Sequence, residues 1–197
     1  MANDKFELLS EDTAYDGFNS IEILNFKYRK FNGGQSNVIE RELFRRKSYV
    51  GVLLYDPKRQ EVILIEQFRI GPMVNNEHPW LLEIVAGMVD DEENNEQAVM
   101  REAIEEANCT ITKLIPIDQY YLTPGSSNET LTLYCGITDT SKAGGIYGLA
   151  TEDEDIKVHV ISFDAVISML KNNEIKNAST IIAVQWLALN YHILSLD

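Results

Sequence analysis

Between Ala86 and Asn108 the chain reads AGMVDDEENNEQAVMREAIEEAN, and no other stretch gathers so many groups able to do chemistry. Stepped at about 100° per residue, Val99, Met100, Ala103, Ile104 and Ala107 fall within an arc of roughly 140°, while Arg101, Glu102, Glu105 and Glu106 fill the opposite arc. The predicted helix over 95–107 therefore packs one face and presents three carboxylates on the other. Glu102 and Glu106 stand one turn apart, a spacing at which like charges cost about 0.2–0.5 kcal/mol in an isolated helix. Most charge runs are solvated faces, but such faces alternate in sign. Here no lysine occurs between Lys58 and Lys113, and Arg101 alone sits among the glutamates, spaced to pair with Glu105 at i,i+4. Carboxylate oxygens on a rigid helix, after a loop able to lend a carbonyl, suit a hard cation such as Mg²⁺ or Mn²⁺. Such a cation in an acidic protein points to a phosphate substrate held through bridging metal.

The elements that must position this helix are mostly strands. Apolar, β-branched runs recur between turn signals at 21–31, 38–44, 49–55, 61–68, 80–86, 115–122, 131–138 and 156–163. Asn32-Gly33-Gly34 and Asp56-Pro57 supply turn chemistry, and the first two runs read as an N-terminal hairpin. Helical periodicity is confined to 95–107, 164–171, with Asp164 as its cap, and 179–194. Strands outnumber helices, and mostly short connections predict an α+β fold, an α/β/α sandwich with a mixed sheet, preceded by an N-terminal antiparallel β module. The expected division is residues 1–47 for the module and 48–197 for one catalytic-sized domain. Three irregular segments, 71–79, 123–128 and 139–155, are long enough to carry function.

Composition narrows the function classes. Of 197 residues, 17 are Lys or Arg and 31 Asp or Glu, a formal charge of −14 that disfavours a sequence-independent grip on nucleic acid. With 45% hydrophobic residues a full core is expected. No membrane span is expected: the most apolar run, 180–196, is interrupted by Gln185, Asn190 and His192. The opening MANDKFELLSEDTAYDG lacks a basic stretch followed by an apolar one and does not read as a secretory signal. Cys109 and Cys135, without CxxC or CxxH spacing, argue against disulfide or zinc frameworks and for a reducing cytoplasm. His78, His159 and His192 share no metal spacing and read as structural.

Gly87, five residues, Glu93, seven residues, then Arg101-Glu102, Ala103, Ile104, Glu105-Glu106 and Ala107 resembles the Nudix box, G-x5-E-x7-R-E-U-x-E-E-x-G-U. The departure is Asn108 at the closing glycine, and asparagine also tolerates a left-handed helix end. The resemblance implies hydrolysis of a nucleoside diphosphate linked to another moiety. It makes Glu102 and Glu106 the principal metal ligands and the Ala86 carbonyl a further one. Glu93 and Arg101 become the ion pair that fixes the loop, and Glu105 either a ligand or an orienting partner.

Outside the box the chain resembles one subfamily, the ADP-ribose pyrophosphatases, in LFRR (43–46), VILIEQFRIG (62–71), PWLLEIVAGM (79–88), LTPGSSNETL (122–131), GLATEDEDIKVHV (148–160) and NASTIIAVQWL (177–187), and in Pro124 beyond the box. The likeness implies Mg²⁺-dependent cleavage of ADP-ribose to AMP and ribose 5-phosphate, with two to three metal ions per site and Mn²⁺ as a possible substitute. Glu152 matches a general base, and Glu154 a loop carboxylate that reaches the metals. Their loop carries four acids over 151–155, able to close only when metal and pyrophosphate neutralise the site. Arg41, Arg46 and Arg69 match substrate contacts, since guanidiniums donate in pairs to phosphate. Phe18 matches a ring that stacks on adenine, and Glu129 a residue facing the terminal ribose. In the subfamily the N-terminal strands cross to a partner, which implies a homodimer. The alternatives are a nucleotide-sugar pyrophosphatase of GDP-mannose type, which shares the box, and a non-catalytic nucleotide sensor, which predicts a degraded box.

Overall fold

The computed structural model describes residues 5–194, apart from the side chain of Glu152. The chain divides into two compact units, one gathering residues up to 48 together with 120–130, the other 49–119 and the chain from 131 onward.

The first unit is built on a three-stranded antiparallel sheet ordered β1 (Phe6–Asp16), β2 (Ser20–Tyr28), β3 (Ile39–Arg45). The expected hairpin is the β2–β3 pair. The sequence reading has no counterpart to β1, because FELLSEDTAYD never settles into an apolar alternation. Its pairing with β2 holds it, through two bulges. Nearly every residue of β1 is exposed, so no buried face imposes a period on it.

The second unit carries an eight-stranded mixed sheet. The main path runs β10 (Gly145–Tyr147), β11 (Ile156–Ser162), β5 (Glu61–Phe68), β4 (Tyr49–Asp56), β9 (Thr130–Ile137), β8 (Lys113–Tyr121). β4 and β9 run parallel, while β4–β5 and β5–β11 are antiparallel. β4 and β5 are almost continuously buried, as central strands covered on both faces must be. Alternation sends Val50, Val52 and Leu54 into one core with Ala98, Val99, Ala103 and Ala107 of α2 (Asn95–Ala107). β4 also meets α4 (Ala178–Leu194), and α3 (Phe163–Lys171) packs on α4, β5 and β11. A five-residue helix, α1 (Ile70–Val74), sits in the segment read as irregular.

Three departures from the sequence reading have local causes. The run 80–86 is two strands, β6 (Trp80–Glu83) paired with β5 and β7 (Val85–Met88) paired with β4. The chain changes neighbour at Ile84, whose N–H donates to Thr180 Oγ1 at 2.9 Å instead of to a strand. α3 is capped by Ser162, whose hydroxyl accepts from Ala165 N–H, so Asp164 lies inside the first turn. The packing face of α2 is rotated from the one drawn on the helical wheel: Glu102 and Glu106 are buried, whereas Met100 is 37% and Ile104 55% exposed. The wheel assigns charged residues outward, but here the glutamate stripe leans onto β7.

At the far end of β4, Asp56 is buried and ties two turns together. Its Oδ1 accepts from the N–H groups of Lys58 (2.9 Å) and Arg59 (3.1 Å), and its Oδ2 from Arg59 Nη1 (2.9 Å), Thr140 N–H (3.0 Å) and Thr140 Oγ1 (3.1 Å). Burial pushes the carboxyl upward, but the Thr140 and Arg59 bonds outweigh it and hold the pKa down at about 2 against an ordinary 3.8. A depressed folded-state pKa contributes stability above the unfolded value and loses it as pH falls through the folded one. Asp56→Asn is expected to cost about 2 kcal/mol near neutral pH. Its deficit against the parent should shrink between pH 4 and pH 2. Urea melts across that range check this, and a pH-independent gap would refute the ionic origin.

Candidate active site

Helix α2, which carries the glutamates, is fixed at both ends. Asn94 caps α2 by accepting from Gln97 N–H at 3.0 Å, while Gln97 Oε1 accepts from Asn94 N–H at 2.9 Å, a reciprocal capping box. At the other end Asn108 sits at φ 50°, ψ 39°, in the left-handed region, with its N–H on Ile104 O (2.9 Å) and the next N–H, of Cys109, on Ala103 O (2.9 Å). The helix end that glycine closes in the motif is thus closed here by asparagine.

Arg101 draws the segment together. Nη2 donates to Glu93 Oε1 (2.6 Å) and to the Met88 carbonyl (3.0 Å), and Nη1 to Glu102 Oε1 (2.7 Å) and Glu105 Oε2 (2.9 Å). Glu93 Oε1 also accepts from Asp90 N–H at 3.0 Å. The Glu93–Arg101 pair and the i,i+4 Arg101–Glu105 pair are both present. The hydrogen bonds from Arg101 hold the Glu93 carboxyl below its ordinary range, and the same bonds raise the guanidinium.

Behind this clasp lie Glu102, 9% exposed, and Glu106, 3% exposed. Glu106 Oε2 accepts from Ala86 N–H at 3.0 Å, and Ala86 is placed by its ladder position opposite Gly51 of β4. Gly87 makes room: a Cβ there would fall inside the Glu102 carboxylate. Burial raises the carboxyl of Glu106 well above its ordinary value, and the charges of Glu102 and Glu154 add to the rise. Burial raises Glu102 too, with Arg101 only partly offsetting it. Hard oxygen donors that repel one another, in a glycine-made cradle, fit a divalent cation. Among the described residues no three His, Cys, Asp or Glu side chains are already drawn together tightly enough to hold a metal ion. The acids rest in other bonds: Glu102 Oε1 and Glu105 on Arg101, and Glu154 Oε2 on the N–H of Leu149 at 3.1 Å.

Glu154 lies in a loop tethered to α2 by the Gly148 N–H on the Glu105 carbonyl at 3.4 Å. Gly148 has φ +106°, and a Cβ on it would stand 2.7 Å from Glu154 Cβ, so only glycine allows this turn. Glu152 ends a short 3-10 turn, Ala150–Glu152, and its side chain lies outside the described residues. Arg69 pairs with Glu83 Oε2 through Nε (3.0 Å) and Nη2 (2.8 Å). Burial works against its charge, and the Glu83 pair, with smaller contributions from Glu106 and Glu154, outweighs it. Glu102, Glu106, Glu154 and Arg69 therefore belong to one electrostatic cluster.

Four sequence candidates belong to the first unit. Arg46 Nη1 bonds buried Glu129 at 3.0 Å, and its guanidinium lies over the Phe44 ring at 5.6 Å. Asn128 fastens the Arg46 backbone, accepting from its N–H and donating to its carbonyl. Arg41 is exposed, with Nη1 on the Glu40 carbonyl at 2.7 Å. Phe18, in the β1–β2 turn, is 82% exposed and so is not a core ring of its own unit.

Three residues absent from the sequence reading stand out in the second unit. Glu83 is a buried carboxylate between Arg69 and Asn177, and Gln67, on the Ile65 face of β5, has a buried Oε1 with no hydrogen-bond partner among the described residues. An acid inside the apolar run WLLEIVA was the available signal for Glu83. Gln67 and Asn177 carry none without the fold.

The NUDIX domain model matches residues 45–188. The chain is 41% identical over 188 residues to the ADP-ribose pyrophosphatase of Escherichia coli K12, covering 95% of this chain and 90% of that protein. It is 42% identical over 188 residues to the ADP-ribose pyrophosphatase of Haemophilus influenzae, covering 94% and 87%. The GDP-mannose pyrophosphatase of Escherichia coli O1:K1 is 32% identical over 154 residues, 77% and 79% of the two chains. A crystal structure of an ADP compounds hydrolase superposes with a TM-score of 0.72 at 16% identity, covering 96% of each chain, a likeness of fold. With the matched span enclosing the Gly87 cradle, the Glu93–Arg101 clasp and the buried glutamates of α2, the chain belongs to the NUDIX family.

Proposed function

We propose that this protein hydrolyses the pyrophosphate of ADP-ribose to AMP and ribose 5-phosphate in a Mg²⁺-dependent reaction. One observation carries the reaction: a pair of buried, mutually repelling carboxylates beside the Ala86–Gly87 backbone, Glu102 held by the Arg101 clasp and Glu106 by the Ala86 N–H. The substrate follows the relatives, since identity to proteins named ADP-ribose pyrophosphatase is higher and runs over more of the chain than identity to the GDP-mannose enzyme.

In this reading Glu102, Glu106, the Ala86 carbonyl and Glu154, whose Oε2 accepts from the Leu149 N–H, would hold two to three Mg²⁺ ions, with Mn²⁺ as a substitute. When bound, the metal supplies Lewis-acid polarisation of the phosphoryl oxygens and lowers the pKa of bound water. Glu105, committed to Arg101, orients the clasp. Glu152 positions the attacking water and takes its proton. Arg41, Arg46 and Arg69 donate to phosphate oxygens, Phe18 stacks on adenine, and Glu129 faces the terminal ribose while fixing Arg46.

The active form is a homodimer in which residues 1–47 exchange and residues 48–197 form the hydrolase domain. Supporting this, β1 exposes Phe6, Leu8, Leu9 and Tyr15, more apolar surface than a lone edge strand should leave open. Sedimentation at the mass of a single chain would remove the exchange. Free, buried Cys109 and Cys135 suit a reducing cytoplasm. No helix among the described residues is long and apolar enough to cross a membrane.

Metal-dependent release of AMP from ADP-ribose should be fast and release of GMP from GDP-mannose slow, read by chromatography with and without Mg²⁺. Preference for GDP-mannose would instead favour the nucleotide-sugar reading, which the 32% relative keeps in view. Glu106→Gln should lower kcat by about 10³-fold or more, the scale of a lost group in electrostatic catalysis. Its melting temperature should be unchanged or higher, because a buried, repelled charge is removed. Glu152→Gln should lower kcat while leaving ADP-ribose affinity, measured by calorimetry, within about twofold. Near-normal turnover by Glu106→Gln would sink the ligand assignment.

A further inference from the structure

Arg69 follows directly on β5, its N–H on the Pro79 carbonyl at 2.8 Å. Its side chain begins a continuous polar run. The Nε and Nη2 edge converges on Glu83 Oε2, and Glu83 Oε1 accepts from Asn177 Nδ2 at 3.1 Å. Asn177 Oδ1 accepts from Thr180 N–H at 2.9 Å and Thr180 Oγ1 at 3.0 Å, which caps α4. Thr180 Oγ1 in turn accepts from Ile84 N–H, at the point where β6 gives way to β7. A buried carboxylate in an apolar run is an expensive way to fill space, since a hydrophobic residue of similar volume would pack there at no desolvation cost. Capping α4 does not require it either, because Asn177 caps through its own oxygen. What Glu83 adds is a fixed guanidinium.

We infer that Glu83 and Asn177 are positioning residues for the substrate pyrophosphate: anchored on the α4 cap, they hold Arg69 by its Nε and Nη2 edge and leave Nη1 to meet a phosphate oxygen. The assignment rests on the reading of Arg69 as a phosphate contact. An arginine alone would give up its rotamer freedom on binding, whereas here that freedom is already spent in folding. The same run reaches the strand crossing at Ile84, one residue before β7, the strand that carries Ala86 and Gly87. Arg69 and the carboxylate cradle are thereby registered to one point of the backbone.

A double-mutant cycle tests the inference. KM and kcat for ADP-ribose would be measured for the wild type, Glu83→Gln, Asn177→Ser, Arg69→Ala and the doubles. Asn177→Ser keeps a capping oxygen and loses only the reach to Glu83, so it also serves if Glu83→Gln folds poorly. Glu83→Gln should raise KM about tenfold and Asn177→Ser about threefold, with kcat within about twofold, the signature of lost binding common to ground and transition states. Each should lower kcat/KM by less than about twofold in the Arg69→Ala background, because the group they act through is gone. Equal losses with and without Arg69, or single variants with unchanged KM, would overturn the positioning role. A wild-type protein that leaves ADP-ribose uncleaved would be seen first and would remove the functional reading, and this role with it.

Discussion

Two like charges buried one turn apart are the constraint around which the catalytic unit is organised. Removing Glu102 and Glu106 from water is costly, and their mutual repulsion adds to it. The protein offsets this piecemeal. Ala86 lends an N–H to Glu106, Arg101 takes one oxygen of Glu102, and Arg69 contributes charge from across the cluster. None of these cancels the repulsion, since burial and neighbouring acids still push Glu106 upward. The residue of unfavourable energy is the physical ground on which a hard cation is proposed there. A fully neutralised pair would bind metal poorly.

Each supporting feature is then explained by the access it gives. Gly87 is required because Glu102 occupies the volume of its missing side chain. Arg101 spans from the loop at Met88 and Glu93 to the helix at Glu102 and Glu105, so the loop cannot drift from the carboxylates it serves. The crossing at Ile84 lets one short run of chain do two jobs. β6, on β5, brings Glu83 to Arg69, and β7, on β4, brings Ala86 and Gly87 to the glutamates. A single unbroken strand would offer both sets to one neighbour.

Legibility in the sequence followed the physics of each signal. The spacing from Gly87 through Glu93 to Arg101 was readable because a clasp of paired side chains needs fixed separations along the chain, and the structure brings Glu93, Glu102 and Glu105 together on Arg101. The limits of α2, 95–107, were readable from its periodicity. The face it buries was not: a helical wheel ranks residues by polarity, and this helix buries its glutamates against a glycine while leaving Ile104 out. β1 was illegible because no buried face imposes a period on it. Glu83 and Asn177 were illegible as partners because they are nearly a hundred positions apart and meet only when α4 docks.

Asn108 separates the two kinds of information that a motif carries. Glu102 and Glu106 are fixed by chemistry, since no other side chain offers the same oxygens at the same reach. The closing glycine is fixed by conformation, and conformation has more than one solution. Asparagine enters the left-handed region more readily than other residues bearing a Cβ. At φ 50° it still hands its N–H to Ile104 O and passes the next N–H to Ala103 O, so the carbonyls at the end of α2 are satisfied. Glu105 and Glu106 lie in the turn that this cap secures. The helix end that the glycine closes in the motif is therefore delivered here without it.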